Sequence, residues 1–268
     1  MNVNQLKFNL AKIFVRTLGR TSRGIRLCLD LGLTSGKMLD YIYRNEPQGR
    51  WFIGKVIDRD FLSHPGWEAI RIRRKHLEEL LTEVLGEIRQ QGKRVSLLDI
   101  ASGPASYIFS VLDKVGEDNV LARCQDFDER WVEEGRLEAS RRNFKNVHFE
   151  KGDAFNRKIL FSLNPRPNVV VSAGFYDWIT EDEKVKESIQ IIFDVLDPGG
   201  YLITTNQIAH PNLEFVEAVF PDFNHNPLRM TMRSQDRIQR WLEETGFLIE
   251  RSLCDARGFY SVTKVRKP

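Results

Sequence analysis

The chain has 268 residues, of which 29% are charged and 41% hydrophobic, and its formal net charge at pH 7 is +3. This composition is that of an ordinary globular protein and excludes a chain disordered by composition. The sequence contains no apolar run long enough to span a membrane or to serve as a secretory signal. We therefore expect a cytoplasmic protein.

The three cysteines are Cys28, Cys124 and Cys254. They lie far apart and form no C-x-x-C pair, so the sequence predicts neither a disulfide framework nor a zinc site. The histidines show no ligand spacing either. We expect no metal.

Positive charge is concentrated in the first third of the chain. Residues 1–94 carry 18 Lys/Arg and 10 Asp/Glu, a net of +8, whereas the remainder has a net of −5. Such asymmetry is typical of a protein that meets an anionic partner, such as a membrane surface, a nucleic acid or an acidic substrate. A solvated basic face explains it equally well.

Residues 4–20 predict an amphipathic helix. Leu6, Leu10, Ile13, Phe14 and Leu18 recur near helical spacing, with basic residues between them. Such a helix either packs on its own domain or makes a peripheral contact with a membrane. One or two short helices are predicted within 24–48, residues 50–64 give no clear pattern, and 66–92 predict a long helix ending at Gly92. We expect a helical cap over residues 1–90 that covers the cofactor face.

From Arg94 onward, short β-branched runs alternate with helical patterns. The predicted strands are Val95–Ile100, Asn119–Gln125, Val147–Glu150, Asn168–Ala173, Tyr201–Asn206, Phe247–Asp255 and Gly258–Val265. The turn between the last two is too short for a parallel crossover, so this pair must be antiparallel. Residues 91–268 therefore predict an α/β domain, a Rossmann-like seven-stranded mostly parallel sheet with an antiparallel last strand.

Ligands of such sheets bind beyond the carboxyl ends of the strands. The first strand ends at Asp99, and small residues that admit a ligand follow it: Ala101, Ser102, Gly103, Pro104 and Ala105. The second strand leads into Asp126, Phe127 and Asp128, where an acid can bind ribose hydroxyls. Asp126 is the first choice for that role and Asp128 the second.

The next two strand ends also carry candidate binding residues. Gly152, Asp153, Ala154 and Phe155 are placed to meet an adenine ring, and Ser172, Ala173 and Gly174 precede Tyr176, Asp177 and Trp178 on the route to a second substrate. Each group could instead form turns or helix caps. Their order along the chain favours a binding site. The absence of G-x-G-x-x-G disfavours a dinucleotide and suits S-adenosylmethionine (SAM), which has no diphosphate.

The run Leu98–Ala105 resembles the first motif of class I SAM-dependent methyltransferases, and Gly152–Ala154 and Asp197–Leu202 resemble later motifs. The resemblance covers about residues 94–267 and implies SAM as cofactor. Ala101 and Ala105 stand where the motif usually has glycine. The stretches Gly54–Arg74, Gln207–Pro211 and Met232–Ser234 are similar to a narrower methyltransferase group often associated with an α/β-hydrolase domain.

That association suggests a small-molecule or lipid-like acceptor, methylated on oxygen or nitrogen. Without a G-x-S-x-G elbow, no hydrolase activity is expected. The candidate general bases are His210, Tyr176 and Asp177, with Asn206 nearby. The candidate acceptor-binding residues are Tyr176, Trp178, Gln207, Arg229 and Arg233.

Three other functions stay open at this point. An RNA methyltransferase would use the basic front end, although the sequence has no RNA-binding module and no Asn/Asp-Pro-Pro-Tyr motif. A non-catalytic SAM-binding protein is compatible with the two alanines in the first motif. A nicotinamide oxidoreductase is a more distant alternative, so nucleic acid and NAD are the less favoured ligands.

Overall fold

The computed structural model describes residues 3–33, 35–222 and 224–268. The chain forms two compact units, a helical unit of residues 1–72 and 210–230 and a sheet unit of residues 73–209 and 231–268. The sequence places the domain boundary near residue 90. In the structure the division falls within one continuous helix, and a segment after the fifth strand joins the helical unit.

The chain begins with helices. They are α1 (Val3–Arg16), a 3₁₀ turn (Leu18–Thr21), α2 (Arg23–Leu31), α3 (Gly36–Arg44), α4 (Trp51–Leu62) and α5 (Pro65–Gln90), the last of which continues into the sheet unit. Residues 50–64 show no clear pattern because the apolar side chains at the start of α4 are exposed instead of forming one buried stripe. None of the helices in the described ranges is long and apolar enough to cross a bilayer.

A buried carboxylate connects three helices of the helical unit. Asp58 of α4 is fully buried and accepts hydrogen bonds from Ser22 Oγ at 2.6 Å and from the backbone N–H of Gly24 at 2.8 Å. It also accepts from the Tyr41 hydroxyl and from the Gln48 backbone N–H. With four donors around it, this carboxylate is satisfied despite its burial.

The sheet unit alternates strands with helices. Its strands are β1 (Val95–Ile100), β2 (Val120–Asp126), β3 (Val147–Lys151), β4 (Val169–Ser172), β5 (Tyr201–Gln207), β6 (Leu248–Cys254) and β7 (Tyr260–Arg266). Its helices after α5 are α6 (Ser106–Val115), α7 (Glu129–Arg141), α8 (Arg157–Phe161), α9 (Asp182–Val195) and α11 (Gln235–Thr245), while α10 (Leu213–Val219) lies in the helical unit.

The sheet has the order β3-β2-β1-β4-β5-β7-β6, and β7 runs antiparallel to both of its neighbours. The predicted Rossmann-like sheet with an antiparallel last strand is confirmed. Two apolar layers cover it, one containing Leu77–Ile88 of α5 with α6 and α7, the other containing α9 and α11. All six residues of β1 are buried, as expected of a strand covered on both faces.

Besides α4, two helices were absent from the sequence prediction. The helix α8 has five residues and α10 has seven, which is too short for a periodic apolar pattern to develop. A local signal exists for α8, because the Asn156 side chain caps it by accepting from the backbone N–H of Ile159.

Candidate active site at the carboxyl ends of the strands

The turn after β1 has a backbone that glycine would ordinarily supply. Ala101, Gly103 and Ala105 have φ angles of +49°, +55° and +49°. The left-handed region costs an L-residue with a Cβ about 1–2 kcal/mol, so the two alanines hold a strained conformation. A Cβ added to Gly103 would meet no heavy atom within 4 Å, so the outer side of the turn is open. The alanines therefore preserve the shape of the glycine turn.

The turn after β1 is hydrogen-bonded to the end of β2. The backbone N–H of Gly103 donates to Asp126 Oδ2 at 2.8 Å, and that of Ser102 donates to the Gln125 carbonyl at 3.0 Å. The other carboxylate oxygen of Asp126 accepts from the backbone N–H of Asp128 at 2.8 Å. Burial raises the pKa of Asp126 above its ordinary value. A carboxylate has about four acceptor positions, and backbone hydrogen bonds from Gly103, Asp128 and Phe127 use three of them, so about one remains available on Asp126.

Asp99 contributes a second carboxylate at the end of β1. It is fully buried, and its Oδ2 accepts from the hydroxyl of Tyr107. Its Oδ1 has no hydrogen-bond partner among the residues that the structure describes. Burial raises the pKa of Asp99 well above its ordinary value. An unpaired buried oxygen is costly, so this atom is a natural acceptor for a donor group of a ligand.

The two acids at the end of β2, Asp126 and Asp128, have different surroundings. Asp128 caps α7 by accepting from the Arg130 backbone N–H at 2.9 Å, and it also forms an ion pair with the Arg130 guanidinium. Its pKa is lowered chiefly by that side-chain hydrogen bond. Between the two acids, Phe127 leaves 77% of its side chain exposed. This geometry makes Asp126 the better ribose candidate and gives Asp128 a capping role.

The end of β3 adjoins that of β2. The backbone N–H of Gly152 donates to the Asp126 carbonyl at 2.9 Å. Asp153 is exposed, and its side chain accepts from the Phe155 backbone N–H at 2.9 Å, which fixes the turn. Ala154 and Phe155 pack partly against the layer that contains α9. The residues predicted to bind adenine therefore come directly after β3, which pairs with the strand that ends at Asp126.

The residues predicted to form the site after β4 differ in burial, and some of them belong to the core. Ser172 is buried, and Gly174 has a φ of +76° while its N–H donates to Thr205 Oγ1 at 2.7 Å. Tyr176 is 1% exposed with its hydroxyl 3.4 Å from Ser188 Oγ, and burial raises its pKa to about 12. Tyr176 therefore packs in the core and is a poor candidate for a base or for acceptor contact. Trp178 is 42% exposed.

Asp177 lies with charged and amide groups at the ends of β4 and β5. Its Oδ1 accepts from the Gln207 backbone N–H at 3.0 Å, and its Oδ2 lies 3.7 Å from Arg73 Nη1. Burial raises the pKa of Asp177 to about 6. The side-chain Nε2 of Gln207 is buried and has no partner within the described part of the chain.

Arg73 was missed by sequence reasoning. Its guanidinium lies over the ring of Tyr260 at 5.0 Å, and a Cβ on Gly174 would be 3.3 Å from its Nη1. The available signal is its position in α5, three residues after Ile70 and four before Leu77, where the buried stripe of the helix runs. A cation at that spacing is unusual and needs a partner, which Asp177 provides.

The structure corrects the predicted roles of the two arginines. Arg233 is 2% exposed and donates to Asp182 Oδ1 at 2.9 Å, to the Tyr176 carbonyl at 2.8 Å and to the Ile179 carbonyl at 2.6 Å. These hydrogen bonds engage its guanidinium inside the protein, so it is not placed to bind the methyl acceptor. Arg229 lies in the helical unit with an exposed side chain, 3.4 Å from Glu217. An exposed pair of this kind is a surface ion pair.

His210 also belongs to the helical unit. Its Nδ1 accepts from the Asn212 backbone N–H at 3.1 Å, and burial lowers its pKa to about 4. The side-chain amide of Asn212 lies 2.9 Å from Nε2 of His64. In the neutral ring of His210, Nε2 then carries the proton. The only lone pair of the ring available for a proton is on Nδ1, and it already accepts from the Asn212 backbone N–H. His210 is therefore unsuited to act as a general base.

Comparison with known proteins places this fold in a family. Residues 1–267 match the family described as "Putative methyltransferase". The uncharacterized protein YnbC of Escherichia coli K12 is 32% identical over 261 residues, an alignment that covers 96% of this chain and 44% of YnbC. The chain thus spans less than half the length of this curated relative.

Two solved structures share the fold. A protein of Bordetella parapertussis described as a possible exported protein superposes with a TM-score of 0.71, 17% identity, and coverage of 98% of this chain and 87% of the other. Magnesium protoporphyrin IX methyltransferase of Synechocystis, with bound S-adenosylhomocysteine (SAH), gives a TM-score of 0.59, 15% identity, and coverage of 89% and 97%. By its match over almost the entire sequence, the chain belongs to the methyltransferase family named above.

Proposed function

We propose that the sheet unit binds SAM and that the protein transfers a methyl group to an oxygen or nitrogen of a small-molecule or lipid-like acceptor. The observation that carries this proposal is the hydrogen bond from Gly103 to Asp126, which joins a left-handed turn after β1 to an acid at the end of β2. When bound, SAM supplies a methyl group already activated by its sulfonium. The chain then has to bind SAM and the methyl acceptor, align them and exclude water.

Residues of the first three strand ends would hold the cofactor. The remaining acceptor capacity of Asp126 suits a ribose hydroxyl. Phe127 offers an exposed ring for an adenine face, and Asp153 lies in the turn that follows β3, the strand paired with β2. The Oδ1 of Asp99, which no described residue contacts by a hydrogen bond, suits the ammonium group of a methionyl moiety, since a cation would satisfy a buried carboxylate.

The acceptor would meet the ends of β4 and β5. There, Arg73 provides positive charge, and the Gln207 side chain provides a donor that no described residue uses. Asp177 holds Arg73 by charge and receives the Gln207 backbone N–H. Its pKa of about 6 also leaves it mostly ionised at neutral pH, so it can accept a proton from an acceptor hydroxyl or amine. These groups favour an acceptor that carries an anionic or carbonyl oxygen.

Isothermal calorimetry with SAM, SAH and NAD tests the binding step. We expect both adenosyl compounds to bind and NAD to give no heat. Failure of the purified protein to bind either SAM or SAH would refute the proposal, and binding of NAD alone would support an oxidoreductase.

The transfer step needs a separate assay. SAM labelled in its methyl group is incubated with the protein and with separate pools of small metabolites, lipids and RNA. Label in the metabolite or lipid pool is the expected result. Label in RNA alone would make the protein an RNA methyltransferase, and binding without any transfer would make it a non-catalytic SAM-binding protein.

A further inference from the structure

The apolar stripe of α1 points to solvent. Leu6, Leu10, Ile13 and Phe14 are spaced so that they share one side of the helix, and each leaves 43–59% of its side chain exposed. An amphipathic helix of a globular protein normally buries this stripe in its own core. Phe8, which packs edge-on against Phe215 of α10 at 5.7 Å, marks the side of α1 that does face its own unit.

A second apolar segment lies at the start of α4. Trp51, Phe52, Ile53 and Val56 leave 77%, 81%, 58% and 48% of their side chains exposed. Consecutive bulky apolar residues in one exposed helical turn are uncommon in a protein surrounded by water. These four residues lie in the stretch 50–64, where no helical or strand pattern was recognisable in the sequence.

Both segments adjoin the same 3₁₀ turn, Leu18–Thr21. This turn follows α1 directly, and Leu18 within it leaves 47% of its side chain exposed. The backbone N–H of Arg50, just before α4, donates to the Thr21 carbonyl at 2.8 Å. A Cβ on Gly54 would come within 2.6 Å of that carbonyl, so α4 approaches the turn closely. We call the exposed residues of the two helices and the turn the apolar face: Leu6, Leu10, Ile13, Phe14, Leu18, Trp51, Phe52, Ile53 and Val56.

The charges around the apolar face are mainly positive. The first acidic residue of the chain is Asp30, and it is paired with Arg20 at 2.5 Å. Arg16, Arg50, Lys55 and Arg59 are exposed on α1 and around α4. Of the two acids in α4, Asp58 is buried and only Asp60 is exposed. Two copies of such a face would bring like charges together, whereas an anionic surface would complement it.

We propose that the apolar face docks on the surface of a lipid bilayer that contains anionic headgroups. The apolar side chains enter the boundary between headgroups and acyl chains, while the basic side chains meet lipid phosphates. Trp51 suits this boundary because its ring is apolar and its indole N–H is a donor. Docking is reversible, since the attachment uses side chains of two short segments and the chain does not enter the bilayer core.

Vesicle co-sedimentation tests this docking. The intact protein is mixed with vesicles of phosphatidylcholine alone and with vesicles that also contain phosphatidylglycerol. We expect binding to the mixed vesicles that weakens as salt is raised. Ile13→Glu and Phe52→Glu should each lower the partition coefficient about tenfold or more, because a charge replaces an inserted apolar group.

Leu137→Glu is the matched control. Leu137 leaves 70% of its side chain exposed on α7, in the sheet unit, and this variant should bind vesicles like the wild type. Circular dichroism confirms that each variant is folded. Calorimetry with SAH should give unchanged heats for Ile13→Glu and Phe52→Glu, so failure of docking and failure of the proposed function are distinguishable.

Three outcomes would overturn the inference. The first is no binding to the mixed vesicles, and the second is equal binding by Leu137→Glu, Ile13→Glu and Phe52→Glu. The third comes from sedimentation velocity of the free protein. If the wild type is a dimer and Ile13→Glu is a monomer, the apolar face is an interface between two copies of this chain.

Discussion

The backbone N–H of Gly103 donates a 2.8 Å hydrogen bond to the carboxylate of Asp126. The turn after β1 and the acid at the end of β2, which are 23 residues apart in the sequence, are therefore one structural feature. A change at Asp126 acts on the shape of the turn as well as on any ligand it binds. This coupling determines how variants of the site have to be designed.

Asp126→Asn should weaken SAH binding about tenfold or more. The amide retains one oxygen acceptor, but it loses the charge and the acceptor capacity needed for ribose hydroxyls, and hydrogen bonds to charged groups contribute about 1.5–3 kcal/mol. Calorimetry with SAH measures the change. Asp128→Asn is the control, because Asp128 caps α7 and pairs with Arg130. Weakening by Asp128→Asn with no effect of Asp126→Asn would transfer the ribose role to Asp128.

Ala101→Gly and Ala105→Gly should each stabilise the protein by roughly 0.5–1 kcal/mol. Both alanines have a φ of +49°, and relief of that strain exceeds the entropy that glycine gains in the unfolded chain. Urea unfolding measures the difference. Ala139→Gly inside α7 is the contrasting control and should destabilise by about 1 kcal/mol. If all three variants lose stability equally, the turn is not strained.

Asp177→Asn should alter how stability depends on pH. The pKa of Asp177 is raised from 3.8 to about 6 in the folded protein, so between these values the native state binds more protons than the unfolded state. The free energy of unfolding then falls as pH rises from about 4 to about 6. A pKa shift of this size lowers it by about 3 kcal/mol. Above about pH 6 the contribution of Asp177 to the free energy of unfolding no longer changes with pH.

Urea unfolding at several pH values measures this dependence. Asp99, whose pKa is raised as well, also lowers the free energy of unfolding as pH rises, and it does so in both the wild type and the variant. The difference between the wild-type and Asp177→Asn curves therefore isolates Asp177. We expect that difference to grow between pH 4 and 6, and parallel curves would show that Asp177 titrates normally.

Arg233→Met should destabilise the protein by about 3 kcal/mol. The substitution removes the Arg233 donors from the carbonyls of Tyr176 and Ile179 and leaves Asp182 without its buried partner. Arg237→Met is the matched control, because Arg237 pairs with the same Asp182 but has 52% of its side chain exposed. That variant should change the free energy of unfolding by less than about 1 kcal/mol. Equal losses would contradict a structural role specific to Arg233.

Periodicity and strand-end chemistry predicted much of the sheet unit. Strands such as Val95–Ile100 are mainly apolar runs bounded by turns, a pattern that depends only on local sequence and on burial of both faces. Short helices such as α8 carry too little pattern to be predicted. The helix α4 was unclear for a different reason, since its bulky residues Trp51, Phe52 and Ile53 are exposed.

The candidate site was predictable only in part. Asp99, Gly103 and Asp126 lie where strands end, and the carboxyl ends of parallel strands always meet at one edge of a sheet. Arg73 lies within a long helix, and only packing shows that it lies beside Asp177. Tyr176 and Arg233 look like site residues in the sequence, yet burial and hydrogen bonding assign both to the core.

The sequence by itself determined the order of the strands along the chain, the antiparallel last pair and the acids at the strand ends, because these features follow from local pattern and loop length. Tertiary structure alone decided which polar groups are satisfied. Asp58 has four donors, whereas Oδ1 of Asp99 has none among the described residues. The reason is physical: hydrogen-bond satisfaction depends on distances between segments far apart in sequence, and no local pattern encodes those distances.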